Sequence, residues 1–414
     1  MVEGRLGESF AIVGATILTM RPLARRANGG AHVDEDDLGI IRGGCIVVRD
    51  GRIESVGTDA SAVPRDGERI DAAGRVVMPG FIDAHTHALF AGDRIADFEA
   101  ISAGLKPALG IRYTVEQTRK CSPDGLVDVG AQRLSIMAAH GTTTAEIKSG
   151  YELTPAGELM MLQAMQTLDQ RADMPHVVPT FCGAHALPPE YQSYDAFVDA
   201  LCADFVPRVA RSGLAAYADA FCEQGYFSVE QSERFLRACS QAGLRLRIHA
   251  DELAHSGGAM LAAKLRCASA DHLNFADARA IAALAESKTI AVLCPATTEY
   301  LGLDRYAPAR DLITAGVPVA LATDFNPGTS PCPSLQTVAH LARRRLRMTA
   351  PETVAGVTLR AAQSLGSRAG VLEPGAPADL VLLQTTDYRE FGYYYGVNLV
   401  SCVSIGKPAG RNGF

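Results

Sequence analysis

The sequence predicts an α/β protein: a (β/α)8 TIM-like barrel with a small composite β-sandwich domain built from both termini. Three observations lead there. From about Arg75 the chain alternates short β-branched runs with longer helical stretches, the pattern of βαβ units around a parallel sheet. Eight such units fit into roughly 270 residues, which suits a closed barrel. Both ends of the chain read instead as short apolar runs broken by turn signals. The expected partition is 1–75 for the N-terminal part of the small β domain, 76–360 for the barrel, and 361–414 for the C-terminal part.

Taken in order, the segment from Phe10 to Val76 holds AIVGATILTM and GGCIVVRDGRIESVG, and its Asp50-Gly51 dipeptide marks a tight hairpin. Between these runs lies RRANGGAHVDEDDLG, whose polar, glycine-rich composition predicts a mobile surface loop with a solvated acidic run. The eight barrel strands are expected in VVMPGFIDAHTH, TTTAEIKSG, HVVPTFCGAH, AAYADAFCE, LRLRIHAD, ASADHL, TIAVLCP and PVALATD. A helical pattern near Pro351 to Leu365 precedes a return to strands in ADLVLLQ and VSCVSIG.

Composition narrows the function. With 414 residues, 48% of them hydrophobic and 21% charged, the chain can bury a large core. A net charge of -7 and a pI near 5.8 give no global basic field, which excludes a nucleic-acid binder held by phosphate contacts and favours a small-molecule partner. The basic run Arg343, Arg344, Arg345, Arg347 reads as a solvated helix face. Ten cysteines without a CxxC pair argue for reduced thiols and against a zinc ribbon. The first residues lack the layout of a secretion signal and no stretch is long enough to span a membrane, so a cytoplasmic, soluble protein is expected.

The chemistry concentrates at the expected strand ends. Side chains alternate along a strand, so His85 and His87 project from one face of the first. A pair of strand histidines is alone equally compatible with ordinary hydrogen bonding. Here His249 ends strand five and Asp324 ends strand eight, at the end of the barrel where active sites lie. Three nitrogens and one oxygen suit one divalent metal, Zn²⁺ or Fe²⁺/Fe³⁺, with an open coordination position. Arg94 follows His87 by seven residues, and its guanidinium fork fits a carboxylate. Tyr151 and His185 fall on loops after strands two and three, and His272 ends strand six, either as a fifth ligand or, the favoured reading, as a neutral hydrogen-bonding group beside the metal. Lys148 ends strand two, away from the strand-four position where related dinuclear enzymes carry a bridging lysine; strand four offers Glu223, which leaves room for a second metal, but one metal is the simpler reading. His32, His140, His176, His255 and His340 lack partners at ligand spacing.

The segments MPGFIDAHTH, DHL, ATD and GAPADLVLL resemble the amidohydrolase superfamily over nearly the whole length. Within it, FAGDR, EIKSGY, GAHA, HADE, SADHL and TDFNPGTSP together resemble the imidazolonepropionase family. The resemblance implies that His85, His87, His249 and Asp324 hold the metal and that Arg94, Tyr151 and His185 contact substrate. It also implies that Glu252 and His272 flank the substrate ring and the reacting water, that Asp324 takes the water's proton, and that Asn326, Gly328 and Thr329 line the pocket. The implied reaction is hydrolysis of the cyclic amide of 4-imidazolone-5-propanoate to N-formimidoyl-L-glutamate in histidine degradation. A homodimer agrees with the resemblance, although no sequence feature specifies an interface. The chain departs from the pattern at Glu152, where many members carry glycine, and at Glu252, where some carry glutamine. Two rivals stand beside this expectation. A deaminase of a cyclic amidine such as a nucleobase would use the same HxxE arrangement in His249-Ala250-Asp251-Glu252. A non-catalytic relative is disfavoured because every expected ligand position is filled by a competent residue.

Overall fold

The structure is a computed structural model that describes residues 4–26, 30–59, 68–107 and 109–406. All eight expected segments contribute a barrel strand: β1 (Phe81–Asp83), β2 (Thr142–Lys148), β3 (His176–Ala184), β4 (Tyr217–Cys222), β5 (Arg245–Ala250), β6 (Ser269–His272), β7 (Ile290–Leu293) and β8 (Val319–Leu321). They pair in chain order in one parallel sheet. The seam between β1 and β8 closes just beyond both strands. There the Asp324 amide donates to the His85 carbonyl and the His87 amide to the Phe325 carbonyl, each at 3.0 Å. Asp83 braces the same seam by accepting from the Thr323 amide at 3.0 Å and its hydroxyl at 2.6 Å. Burial lifts the Asp83 carboxyl to about 7.

Outer helices start where hydroxyl residues cap them: Ser122 before Pro123–Ala139, Thr154 before Pro155–Gln170, and Ser228, in a capping box with Gln231, before Val229–Gln241. The floor of the barrel is plugged by the helix Leu359–Ser364, whose Ala361 and Ala362 pack with Ile82, Val178 and Tyr217.

The two ends of the chain meet in a second, mixed sheet of eight strands. Its central order runs Val400–Ser404, Leu380–Leu383, Val76–Pro79, Phe10–Leu18, Ile40–Arg49, Arg52–Gly57. The hairpin at Asp50-Gly51 has both residues at positive φ, 50° and 70°, which the right-handed twist of the paired strands favours. Period-two alternation gives this sheet two apolar faces. Val77, Leu380 and Leu382 point into its own core, while Val76, Met78, Val381 and Leu383 join the barrel's core. Burying both faces fastens the sheet to the barrel by the hydrophobic effect, at about 25 cal/mol per Å² of apolar surface.

Two expectations need correction. The run VVMPGFIDAHTH is two strands, because Pro79 offers no amide to continue a ladder and the chain crosses from one sheet to the other at Gly80. The run from Arg25 to Gly39 is not simply a surface loop with a solvated acidic run. Residues 27–29 lie outside the described residues, but Ala31, Val33 and Leu38 are buried in the barrel-side core, and buried Asp37 is ion-paired to Arg26. No helix among the described residues is long and apolar enough to cross a membrane, and all ten cysteines are free thiols.

Candidate active site

Three imidazoles and one carboxylate converge at the C-terminal mouth of the barrel. His87 Nε2 lies 3.2 Å from His249 Nε2, while Asp324 Oδ1 lies 3.5 Å from His85 Nε2 and 3.8 Å from His87 Nε2. Neither His85 Nε2 nor either nitrogen of His272 has a hydrogen-bond partner, although all are buried. Burial and neighbouring positive groups hold His85, His87 and His272 well below the ordinary histidine range, so they are neutral. Asp324 and His272 adopt positive φ, 50° and 73°, which is strained for residues with side chains.

Beneath this layer each ionisable side chain has a partner of opposite charge, although Asp271 Oδ1 and Arg247 Nε make no hydrogen bond. His85 Nδ1 lies 2.6 Å from Asp271 and His249 Nδ1 lies 2.8 Å from Asp219. Each carboxylate therefore fixes the tautomer that turns a lone pair on Nε2 toward the centre. The fully buried Lys148 ammonium bridges Glu146 at 2.9 Å and Asp219 at 2.7 Å, with Asp271 at 3.7 Å. Despite its burial, those carboxylates raise Lys148 above the ordinary lysine value. Arg247 donates to the Ala84 carbonyl at 2.7 Å and to Asp271 at 3.3 Å.

The donor set fits a metal ion. Donor atoms on a tetrahedron with bonds near 2.0–2.1 Å stand about 3.3 Å apart, close to the separations here. Three carboxylates in the lower layer face two cations, and Asp324 adds a further negative charge. A divalent cation balances that excess, whereas three imidazoles turning lone pairs on one point otherwise repel.

Around the mouth, His185 stacks on His87 with ring centroids 4.7 Å apart. Its Nδ1 donates to the Gly150 carbonyl at 3.0 Å, and burial lowers its pKa to about 4. Gly150 has φ +104°, and a Cβ there would stand 2.5 Å from the Cys182 carbonyl oxygen, so only glycine lets this turn close on His185. Tyr151 packs against both rings. Glu252 is buried, which pushes its carboxyl well above the ordinary range with help from Asp324 and Glu223, and it lies 3.8 Å from His272 Nε2.

A cavity of about 390 Å³ is lined by Phe90, Arg94, Arg133, Tyr300, Phe325 and Asn326, among others. Arg94 is ion-paired to Asp97 through one edge and faces the Gly328 backbone with Nη1. Asn326 borders the cavity, but its amide is engaged within its own loop. It donates to the Asp324 carbonyl at 2.7 Å and accepts from the Gly328 and Thr329 amides at 2.9 and 2.8 Å. Glu223 likewise serves the backbone, accepting from the Glu252 and Leu253 amides at 2.8 and 2.9 Å.

The Amidohydrolase family model matches residues 76–400, from the last strand before the barrel into the final strand of the terminal sheet. The chain belongs to the amidohydrolase family. Curated relatives of this amidohydrolase include the imidazolonepropionase of Solibacter usitatus, 43% identical over 87% of this chain and 89% of the relative. That of Bacillus velezensis is 42% identical over 93% of this chain and 92% of the relative. Among solved structures, a 5-methylcytosine deaminase from Klebsiella pneumoniae superposes with a TM-score of 0.70 at 16% identity, covering 98% of this chain and 99% of that one. An adenosine deaminase from Xanthomonas campestris with bound zinc gives 0.69 at 20% identity, covering 98% and 92%. At those identities the likeness is one of fold. The family and the cluster of histidines and aspartate together make this a divalent-metal enzyme.

Sequence reasoning overlooked the lower layer of the amidohydrolase site: Asp219, Asp271, Glu146 and Arg247. Asp219 lies in the apolar run Tyr217–Cys222, where a lone carboxylate at an inward position of a buried strand was the available signal.

Proposed function

We propose that this amidohydrolase opens the ring of 4-imidazolone-5-propanoate to N-formimidoyl-L-glutamate, using one divalent cation, zinc or iron, held by His85, His87, His249 and Asp324. The convergence of His85 Nε2 and His87 Nε2 on Asp324, with His249 Nε2 beside His87, carries this reading, and the curated relatives support the choice of substrate. A divalent cation there supplies Lewis acidity toward the ring carbonyl and lowers the pKa of a water from 15.7 to about 7.

The residues divide the remaining work. Asp324 is lifted to about 6 by burial and held by Thr297 at 2.7 Å, so it is placed to take the proton of the attacking water. Neutral His272 borders the ring carbonyl oxygen, where the single N–H of its unpartnered ring can donate to developing negative charge. Glu252, whose carboxyl burial lifts well above the ordinary range, is the acid placed to deliver a proton to the ring nitrogen as the carbon–nitrogen bond breaks. Asp324's proton then restores Glu252, so water is consumed and no ammonia leaves. Arg94, Tyr151 and His185 orient the ring and its side chain, while Asn326 holds the Gly328 to Thr329 loop in the shape that borders them.

The test is loss of ultraviolet absorbance of freshly generated 4-imidazolone-5-propanoate on metal-replete protein, with ammonia assayed in parallel. Metal-dependent loss without ammonia is the expected result. No loss on the imidazolone, with ammonia released from a cyclic amidine, would replace this reading with a deaminase.

A further inference from the structure

The loop that follows β2 is held at its two shoulders, not at the residue that touches the site. Tyr151 lies against His87 and His185, with ring centroids 5.8 and 5.3 Å away, yet its own side chain makes no hydrogen bond among the described residues. Its position is therefore set by the backbone on either side. Upstream, the Ser149 amide donates to the Thr180 carbonyl at 2.9 Å, and the Ser149 hydroxyl accepts from the Cys182 amide at 3.0 Å. Downstream, buried Leu153 turns the chain at φ 52°, a conformation that is costly for a residue with a side chain. One group holds that turn. Glu158, on the first turn of the helix Pro155–Gln170, accepts from the Glu152 amide at 3.2 Å and from the Leu153 amide at 2.7 Å, both through Oε1.

Glu158 is fully buried, so losing its oxygen would strand two amides in a turn that bulk water does not reach. Arg119 grips the Glu152 carbonyl at 2.8 Å but leaves both amides to Glu158. Two other loops of the mouth are fastened by the same device, one side-chain oxygen on two successive or neighbouring amides: Glu223 on Glu252 and Leu253, and Asn326 on Gly328 and Thr329. We infer that Glu158 is a positioning residue for the reaction, which by holding the Glu152 and Leu153 amides keeps Gly150 and Tyr151 closed on His185. The inference rests on the proposed function for the part Tyr151 plays in turnover, but the grip on the turn stands without it.

The test joins amide hydrogen exchange, read by mass spectrometry, to turnover of 4-imidazolone-5-propanoate, both on metal-replete protein. In Glu158→Met, residues 149–154 should exchange about tenfold faster or more while the rest of the chain is unchanged, and kcat/KM should fall on the order of tenfold to a hundredfold. Glu158→Gln, which keeps an acceptor oxygen at the same reach, should bring both back to within about threefold of the intact protein. In a Tyr151→Ala background, Glu158→Met should cost less than about threefold further, because the residue it positions is gone. A merely structural Glu158 would lower turnover alike in both backgrounds and speed exchange along the whole helix. Either result overturns the inference, as does unchanged exchange at residues 149–154. Where Glu158→Met does not fold, Glu158→Asp, which keeps the acid but draws it back by one methylene, carries the same comparisons. If intact protein leaves the imidazolone unopened while the variant still frees residues 149–154 alone, the grip on the turn holds and only the substrate assignment falls.

Discussion

The two layers of the barrel mouth are built on opposite principles. In the lower one, Lys148, Arg247, Glu146, Asp219 and Asp271 answer one another within hydrogen-bonding or ion-pair distance. In the upper one, His85 and His272 present buried nitrogens without partners beside a carboxyl displaced from its usual range. The contrast teaches that donor atoms crowded around one buried carboxylate without a balancing cation mark where something else belongs. The satisfied layer is what allows the other to stay open.

Breaking the upper layer should have the largest effect. His249→Ala is expected to lower turnover by more than roughly a thousandfold, beyond the loss typical of a single oxyanion donor, with an unchanged circular dichroism spectrum. A variant that stayed active would remove His249 from the donor set. Breaking the lower layer should weaken stability and metal binding together. Lys148→Met removes the ammonium that bridges Glu146 and Asp219, leaving Arg247 as the cation of the layer, and should cost about 3–5 kcal/mol in urea unfolding. Unfolding at the native midpoint would show that the lysine does not hold the layer.

A subtler change sharpens the comparison. Asp271→Asn keeps shape but removes the charge that holds His85 in its tautomer, and should weaken zinc affinity about 10–100-fold in a chelator competition. Equal affinity would mean that packing alone orients His85.

The smallest expected effect lies outside both layers. Glu158 is buried and its carboxyl is lifted to about 7, even though it accepts from the Glu152 and Leu153 amides at 3.2 and 2.7 Å. The folded state thus keeps a proton that the unfolded chain releases near 4.5, so this group's contribution to stability is fullest below about pH 4.5 and declines as pH rises toward 7. Glu158→Gln should flatten the pH dependence of unfolding across that window by up to about 3 kcal/mol, without changing zinc affinity. An unchanged slope would place the titration elsewhere.

The sequence made the upper layer legible because its donors fall at strand ends, where a period-two pattern meets a loop: His85, His87, His249, His272 and Asp324. The lower layer escaped because its pairs join neighbours across the barrel, not neighbours along the chain. Asp271 comes opposite His249 only through the register of β5 on β6, yet it serves His85, 186 residues away. Composition misled at the run from Arg25 to Gly39, where three apolar residues among many polar ones suffice to anchor the backbone.

The seam at which β1 meets β8 bears on how the protein is made. Its hydrogen bonds join His85 to Asp324 and His87 to Phe325, so the residues that close the ring are also those that offer donors. During synthesis, His85 and His87 emerge long before Asp324, and contacts of such high order close late because they carry the largest loop entropy. A chain stalled before closure therefore presents a histidine pair but never the full set. The four donors stand together only in molecules whose ring has already shut.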